Sequence, residues 1–327
     1  MKTAYTRRNW LATVGSAAVL SRPAASAALG KPMQGAFIIL STPYTSSKAI
    51  DYEDLAGEVD FLDRCGVQGL VWPQNSSELP YLTKQERMRG MDVLAKAARG
   101  KGPILVLGVQ GEDTEEMLEY ASQAEKLAPD AVIAIPPRKA KSLDDYREYF
   151  RALCKLAKRP VFIQTSGGAP AVVPSVELIV ELAKEFPNFG YVKEEHDPLI
   201  PRMKALVAQR PDPVKRVFGA NFGVPWLYQM RLGCDGVITG GAMYADIYAR
   251  LWRLHLQNKS EEKRELFAKL LLMLNLDQEI PGTRLYLLKK RGIFKTAISR
   301  QRDYQLTPDE IAEIEYRFEG LKPYLKA

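Results

Sequence analysis

Eight short apolar runs rich in β-branched residues alternate with amphipathic segments along residues 36–256. The runs have the length of buried strands, and the segments between them carry apolar residues at the spacing of one helix face. Because parallel strands are joined by helical crossovers, eight consecutive strand–helix units predict a closed parallel (β/α)8 barrel of the α/β class. The predicted strands cover residues 36–40, 69–72, 104–108, 131–135, 161–164, 191–193, 216–219 and 236–239.

The same pattern predicts eight barrel helices and a helical C-terminal extension. A doubly wound open sheet is the competing fold, but no glycine-rich dinucleotide-binding turn follows the first strand. We therefore predict a barrel over residues 29–256 and an extension over residues 257–327. The predicted helices cover residues 51–65, 83–99, 114–127, 143–158, 175–186, 199–209, 223–232 and 242–256 in the barrel, and 261–274, 283–291 and 308–321 in the extension.

Residues 1–28 have the pattern of an export signal. Arg7 and Arg8 form a twin-arginine pair, an apolar run follows at residues 11–20, and small residues near Ala27 suit signal cleavage. The apolar run is too short to span a bilayer as a helix. A disordered or mitochondrial-type basic leader is the alternative. The sequence predicts a twin-arginine signal peptide and a periplasmic or otherwise extracytoplasmic mature protein.

The charge balance and the cysteines exclude several kinds of site. The chain carries 46 basic and 39 acidic residues, and the leader holds four of the basic residues and no acidic one. The remaining excess is too small to indicate a nucleic-acid or membrane partner. Cys65, Cys154 and Cys234 are isolated in apolar surroundings, so they form neither a zinc motif nor a disulfide framework. They are predicted to be free thiols in the core.

Polar residues follow most of the predicted strands. In a (β/α)8 barrel the functional side chains lie at the carboxyl ends of the strands, so these residues are expected to form one ring. Lys193 closes the sixth strand and is the candidate amine of that ring. Burial of an amine favours its neutral, nucleophilic form, which can form a Schiff base with a ketone. The alternative is an ordinary strand-end lysine, paired with Glu194 or Glu195.

Several motifs of the chain match one known family of barrels. The first strand leads into the Thr-Pro-Tyr turn of residues 42–44, and the fourth strand ends in the Pro-Pro pair of residues 136–137. On these motifs the chain resembles the dihydrodipicolinate synthase / N-acetylneuraminate lyase family of class I, Schiff-base lyases. The resemblance extends over about residues 35–255 and places Lys193 at the family's Schiff-base lysine. It implies a lyase that needs no metal or organic cofactor and that forms a dimer or tetramer.

The chain departs from this family at the proton-transfer residues. The family's Gly-Thr-Thr-Gly-Glu loop reads Gln-Asn-Ser-Ser-Glu at residues 74–78, so its two threonines are Asn75 and Ser76. The fifth-strand tyrosine, which the family uses as general acid/base, is Gln164, and the tyrosine pair after Pro-Pro is Arg138-Lys139. The arginine that follows the fifth strand in the synthases has no counterpart. The resemblance therefore implies a retained amine and a replaced proton relay.

Another group must move protons if the protein is an active lyase, because glutamine does not titrate near neutral pH. His196 is one candidate, and the alternative is that it is an exposed loop residue. Glu195 is the second candidate for the proton-transfer group. It is preferred to Glu194, because alternation along the strand turns Glu194 away from the barrel axis. The predicted catalytic residues are Lys193, Gln164, Glu195 and His196.

A second set of residues is predicted to bind the substrate. Ser76 and nearby backbone amides would hold the carboxylate of a 2-keto acid. Arg138 or Lys139 would bind a second carboxylate or a polyhydroxy chain, unless they are solvated loop charges. The predicted set is Thr42, Asn75, Ser76, Ser77, Arg138, Lys139, Gly219 and Thr239, with no metal ligand.

These expectations define a Schiff-base-forming lyase of aldolase or synthase type that acts on pyruvate or another 2-keto acid. Efficient 4-hydroxy-tetrahydrodipicolinate synthesis is not expected, because the relay residues are replaced. The alternatives are a dehydratase or aldolase for a 2-keto-3-deoxy sugar acid, a hydratase-aldolase for an aromatic pyruvate, and a barrel that binds a small acid without turning it over. The expected partners are the small-molecule keto acid and further copies of the chain.

Overall fold

In a computed structural model, which describes residues 31–326, eight parallel strands close into a barrel. Each strand pairs with its neighbours in sequence, and the first pairs with the eighth from Gly35 opposite Gly236 onward. The predicted (β/α)8 architecture is confirmed. The strands are β1 (Gly35–Ile39), β2 (Gly69–Trp72), β3 (Ile104–Gly108), β4 (Ala131–Ala134), β5 (Val161–Gln164), β6 (Tyr191–Lys193), β7 (Arg216–Gly219) and β8 (Gly236–Gly240).

The helices within residues 31–326 surround the barrel and then continue into the C-terminal extension. Most begin with a side chain that caps the first turn, such as Thr83, which forms a reciprocal capping box with Glu86. The barrel helices are α1 (Tyr52–Cys65), α2 (Lys84–Ala97), α3 (Thr114–Leu127), α4 (Leu143–Leu156), α5 (Val176–Glu185), α6 (Leu199–Val207), α7 (Trp226–Arg231) and α8 (Ala245–Leu256). The extension holds α9 (Ser260–Glu279), α10 (Thr283–Lys290) and α11 (Pro308–Glu319).

The elements differ most from prediction around α7 and at the end of α9. The α7 helix begins at Trp226 rather than near residue 223, because a short 3-10 turn at Asn221–Gly223 and then Pro225 precede it. The α9 helix continues past residue 274 to Glu279, because Leu276 extends its buried face by a further turn. The predicted boundary between barrel and extension, residue 256, falls at the end of α8.

An aromatic layer fills the barrel lumen below the strand ends. The rings of Phe37, Phe162 and Phe218 have their centroids between 4.9 and 6.4 Å apart. Gly69 leaves room for this layer, since a Cβ there would lie 2.2 Å from the Phe37 ring. The alternate residues of the same strands pack outward against the helices. Only positions beyond the aromatic layer can therefore present polar side chains to a ligand.

The chain between α10 and α11 returns across the carboxyl end of the barrel, and we call residues 292–306 the C-terminal strap. Lys295 lies 2.8–3.1 Å from three carboxylates at the start of α1. Arg300 lies 2.6 Å from Glu86 at the start of α2, and its guanidinium is 4.7 Å from the ring of Tyr44. These contacts hold the strap over the loops that follow β1 and β2.

The remaining structural expectations concern the cysteines and the leader. Cys65, Cys154 and Cys234 are buried and free, as predicted, and burial raises the pKa of each thiol to about 12. No helix within residues 31–326 is long and apolar enough to cross a membrane. The predicted signal peptide lies outside the described residues.

Two helical glycines provide a matched test of the packing between the barrel and its helices. A Cβ at Gly90 of α2 would lie 2.2 Å from the Trp72 ring, whereas a Cβ at Gly57 of α1 would have no neighbour within 4 Å. Gly90→Ala is expected to lower the free energy of unfolding by about 1–3 kcal/mol through overpacking. Gly57→Ala is expected to raise it by about 0.5–1 kcal/mol, because alanine restricts the unfolded chain. Denaturant unfolding of both variants measures the two effects, and equal responses would contradict the packing.

Candidate active site

Lys193 lies at the carboxyl end of β6, immediately above the aromatic layer of the lumen. Tyr191 packs on Phe162 within that layer, so strand alternation makes Lys193 the next inward position. Its side chain is only 6% exposed. The register places Gln164 of β5 opposite Lys193, and the ammonium Nζ donates a hydrogen bond to Gln164 Oε1 at 2.8 Å. The end of the barrel thus holds one buried amine in a fixed position.

Glu195 is the acidic partner of this amine. Its Oε2 lies 2.9 Å from Lys193 Nζ, and its side chain is 14% exposed. The backbone N–H of Glu195 donates to Thr165 Oγ1 at 3.0 Å, which fixes the chain just beyond β6. Oε2 makes no directed hydrogen bond with any residue in the described part of the chain, although it is buried. This oxygen can therefore exchange a proton with the amine or with a molecule bound beside it.

Glu194 faces the opposite side of the strand and is fully buried. It accepts hydrogen bonds from Thr165 Oγ1 and from the backbone N–H of His196, both at 2.8 Å. Arg202 of α6 lies 3.0 Å from its other oxygen. A buried carboxylate satisfied in this way holds the strand end rigidly, so Glu194 positions the two residues on either side of it.

His196 is not brought to the amine. The Nδ1 atom of its ring lies 2.8 Å from the carbonyl oxygen of Asp197. Because a carbonyl only accepts, Nδ1 must carry the proton in this contact. No hydrogen bond or ion pair joins His196 to Lys193 within residues 31–326. The structure therefore gives Glu195, and not His196, the contact expected of a proton-transfer partner.

The loop after β2 has two residues near the barrel mouth, and it is held in place by Ser77 and by Thr42 of the loop after β1. Ser77 donates to the carbonyl of Leu40 and Thr42 donates to the carbonyl of Ser77, each at 2.6 Å, so both hydroxyls are used internally. Asn75 is exposed and Ser76 is half-buried. A Cβ at Gly240 would lie 2.7 Å from Ser76 Oγ, which places that hydroxyl against the end of β8.

Gly219 and Thr239 do not present side chains to the lumen. The inward positions of β7 and β8 are Phe218 and Ile238, so the neighbouring residues face the helices. A Cβ at Gly219 would lie 1.9 Å from the side chain of Gln229, which explains the glycine by packing. Thr239 is buried, and its hydroxyl donates to the carbonyl of Gly240 at 3.1 Å. The position of a residue at the end of a strand therefore did not predict whether it faces the lumen or the helices.

Arg138 and Lys139 lie at the surface beyond β4, and both are exposed. Lys139 lies 2.9 Å from Asp113, the N-cap of α3. The pKa of Asp113 is lowered, first by the backbone N–H of Glu116 and then by Lys139. Lys139 therefore has a structural partner away from the amine. Arg138 borders a cleft of about 360 Å³ that also touches Asn75.

Two residues at the mouth were not found from the sequence. Phe222 lies in the turn after β7, and its ring is 3.5 Å from the position of a Cβ on Gly240. Arg284 belongs to α10, and its guanidinium lies 4.7 Å from the centroid of the Phe222 ring. Arg284 lies on a helix of the extension and Phe222 lies beyond the end of β7, so neither residue belongs to the strand ends at which barrel sites are expected. Within residues 31–326 no cluster of His, Cys, Asp or Glu is placed to hold a metal ion.

A buried lysine at the end of the sixth strand of a (β/α)8 barrel is the arrangement expected of the Schiff-base, class I aldolase type of enzyme. The chain belongs to the dihydrodipicolinate synthetase family, whose sequence model matches residues 32–291. The resemblance stated from the motifs is thereby confirmed.

Individual relatives share the fold at modest identity. The 4-hydroxy-tetrahydrodipicolinate synthase of Parabacteroides distasonis is 26% identical over 77% of this chain and 85% of its own length. That of Chlorobium phaeobacteroides is 26% identical over 81% of this chain and 89% of its own. The crystal structure of dihydrodipicolinate synthase from Aquifex aeolicus superposes with a TM-score of 0.80, covering 90% of this chain and all of the other at 20% identity. The crystal structure of dihydrodipicolinate synthase from Rhodopseudomonas palustris superposes with a TM-score of 0.79. The superposition covers 88% of this chain and 97% of the other, at 22% identity.

Proposed function

We propose that this protein is a Schiff-base lyase that acts on pyruvate or another 2-keto acid, with Lys193 as nucleophile and Glu195 as the proton-transfer group. The observation that carries the proposal is the position of the buried Nζ, 2.8 Å from Gln164 Oε1 and 2.9 Å from Glu195 Oε2. An amide and a carboxylate at these distances hold the amine in one place, and only the carboxylate can take a proton from it.

Formation of the Schiff base requires two proton transfers. Glu195 first accepts a proton from the Lys193 ammonium, and the neutral amine then attacks the keto carbon of the substrate. The protonated Glu195 gives that proton to the alkoxide oxygen, which forms the carbinolamine and restores the carboxylate. The carboxylate then takes the extra proton from the carbinolamine nitrogen and gives it to the hydroxyl oxygen. That oxygen leaves as water, and the iminium remains on Lys193. A single carboxylate beside Nζ can serve both steps because it is regenerated between them.

The iminium then acts as the electron sink for the bond change. In the condensation direction, Glu195 removes a proton from the carbon next to the iminium and leaves an enamine. In the cleavage direction, Glu195 takes the proton of the hydroxyl on the distal carbon. That carbon becomes a carbonyl as the C–C bond breaks, and the electrons of the bond form the same enamine. Gln164 takes no part in proton exchange and keeps the nitrogen aligned through its Oε1. Ser76 and nearby backbone N–H groups are proposed to hold the substrate carboxylate.

Borohydride trapping tests the nucleophile. Pyruvate followed by borohydride is expected to leave one stable adduct on Lys193, located by peptide mass spectrometry. Lys193→Ala should lose the adduct, and Lys204→Ala, at an exposed lysine of α6, should keep it. An adduct on a different lysine, or none with any 2-keto acid, would refute the assignment.

The role of Glu195 is tested through the rate of Schiff-base formation. Glu195→Gln removes the proton acceptor and is expected to slow trapping by about 100- to 10,000-fold, the usual cost of losing a positioned acid/base. Glu195→Asp should retain part of the rate, because it keeps a carboxylate. Rapid-quench measurements give these rates, and thermal unfolding checks that the variants remain folded. An unchanged rate in Glu195→Gln would exclude this role and would favour a barrel in which water moves the protons.

We propose that the chain is a poor 4-hydroxy-tetrahydrodipicolinate synthase, although the relatives described above carry that name. Asn75 and Gln164 stand where the family has two hydroxyls of its relay, and Arg138-Lys139 stands where it has its tyrosine pair. An assay of pyruvate and aspartate semialdehyde, coupled to a downstream reductase, is expected to show little turnover. A kcat/KM of about 10,000 per molar per second or more would contradict the proposal.

Self-association is also proposed. Members of this family are commonly homo-oligomers, and we infer a dimer or tetramer for this chain. Sedimentation at micromolar protein concentration measures this, and the mass of a single chain would count against it.

Export by the twin-arginine route is proposed from the leader sequence. The mature protein should begin near Leu29, and replacement of Arg7 and Arg8 by lysine should retain the protein in the cytoplasm. N-terminal sequencing of periplasmic material decides the point, and a correctly located protein that retains Met1 would refute it.

A further inference from the structure

A small cavity at the barrel mouth lies between the loops of β1 and β2 and the C-terminal extension. Its volume is about 70 Å³. Residues of the loops after β1 and β2 form the barrel side of the cavity. Residues of α10 and the C-terminal strap form the other side. Its lining includes Ser76 and Glu78 on the barrel side, and Arg284, Gln301 and Tyr304 on the extension side.

Arg284 is the cationic group of this cavity, and its charge is weakly compensated. It makes no hydrogen bond within residues 31–326, and its nearest carboxylate, Asp277, is 3.7 Å away. Burial raises the pKa of Asp277 to about 7, even though Arg284 opposes that shift. Near neutral pH Asp277 therefore carries only part of a negative charge. The acid that lines the cavity is Glu78, which accepts a hydrogen bond from the backbone N–H of Arg300 at 3.0 Å.

A continuous set of contacts connects Arg284 with the lumen. The guanidinium lies over the Phe222 ring, and Phe222 and Ser76 both lie against Gly240 at the end of β8. Asn221 and Phe222 have φ angles of 53° and 51°, in the left-handed region that a bulky residue such as phenylalanine rarely occupies. Strained backbone of this kind concentrates at ligand-binding positions, and here it holds the ring beneath the guanidinium.

We propose that Arg284 forms a subsite for a second carboxylate, so that the preferred substrate is a 2-keto acid with an acidic group at its far end. This inference rests on the proposed Schiff-base function and names its substrate class. The barrel offers few alternatives for such a group, because the stretch after β5 lacks arginine, Lys139 is paired with Asp113, and Arg138 is exposed at a different cleft. A guanidinium fork suits a carboxylate, and Gln301 and Tyr304 line the same cavity.

Matched keto acids test the subsite. 2-Oxoglutarate and 2-oxoadipate are compared with 2-oxopentanoate and 2-oxohexanoate, which have the same chain lengths but no distal carboxylate. The half-saturating concentration for borohydride trapping is measured for each. In the wild-type protein at least one dicarboxylate is expected to saturate at a concentration about tenfold lower than its partner, in line with the usual strength of a charge-assisted hydrogen bond.

Arg284→Gln is expected to remove that preference. It should raise the half-saturating concentration of the dicarboxylate about tenfold, while pyruvate and the monocarboxylates change by less than twofold. Arg253→Gln, at an exposed arginine of α8, is the control and should change nothing. Equal losses for mono- and dicarboxylates would show that Arg284 only supports the fold, and would overturn the subsite while leaving the Schiff base intact.

Calorimetric titration keeps the subsite testable if trapping fails. Lys193→Ala protein and the Lys193→Ala/Arg284→Gln double variant are titrated with the same four acids, so that no covalent step enters. A preference for a dicarboxylate that disappears in the double variant supports the subsite even without a Schiff base. Absence of that preference in Lys193→Ala protein, or its survival in the double variant, overturns the subsite whatever the trapping shows.

Discussion

The contact between Lys193 and Glu195 is the interaction on which the rest of the site depends. A buried ammonium without a partner would cost several kcal/mol, and it would favour deprotonation or exposure of the side chain. Glu195 compensates that charge at 2.9 Å, and Gln164 satisfies one of the N–H donors at 2.8 Å. The amine is thus held at the barrel axis with an adjacent group that can take its proton. The proposed chemistry follows from this arrangement.

Two layers of structure support that contact. Below it, the phenylalanines of the lumen exclude water and close the barrel, so the amine can only face the mouth. Beside it, Glu194 binds Thr165 and Arg202 and fixes the backbone between the strand end and α6. The two consecutive glutamates consequently have different roles. One is part of the framework, and the other carries an oxygen left available to the site.

The chain keeps the framework of its family and changes the residues at the mouth. The eight strands form the family's barrel, and the resemblance implies that glutamine, asparagine and Arg-Lys occupy the positions of its relay hydroxyls. The strap and α10 bring side chains of the extension to the same opening. A barrel can change its substrate in this way, since loops and extensions alter the mouth without disturbing the packed lumen.

The sequence by itself determined the barrel, the strand that carries the amine and the acid beside it. Apolar periodicity is a local property, and strand alternation separates the directions of Glu194 and Glu195 without knowledge of any other segment. Tertiary structure decided the remainder. Gly219 and Thr239 face the helices because the aromatic lumen sets which residues of β7 and β8 point inward. Lys139 is paired with a helix cap, and Arg284 reaches the mouth from α10. These placements depend on contacts between segments far apart in the chain, which no local pattern encodes.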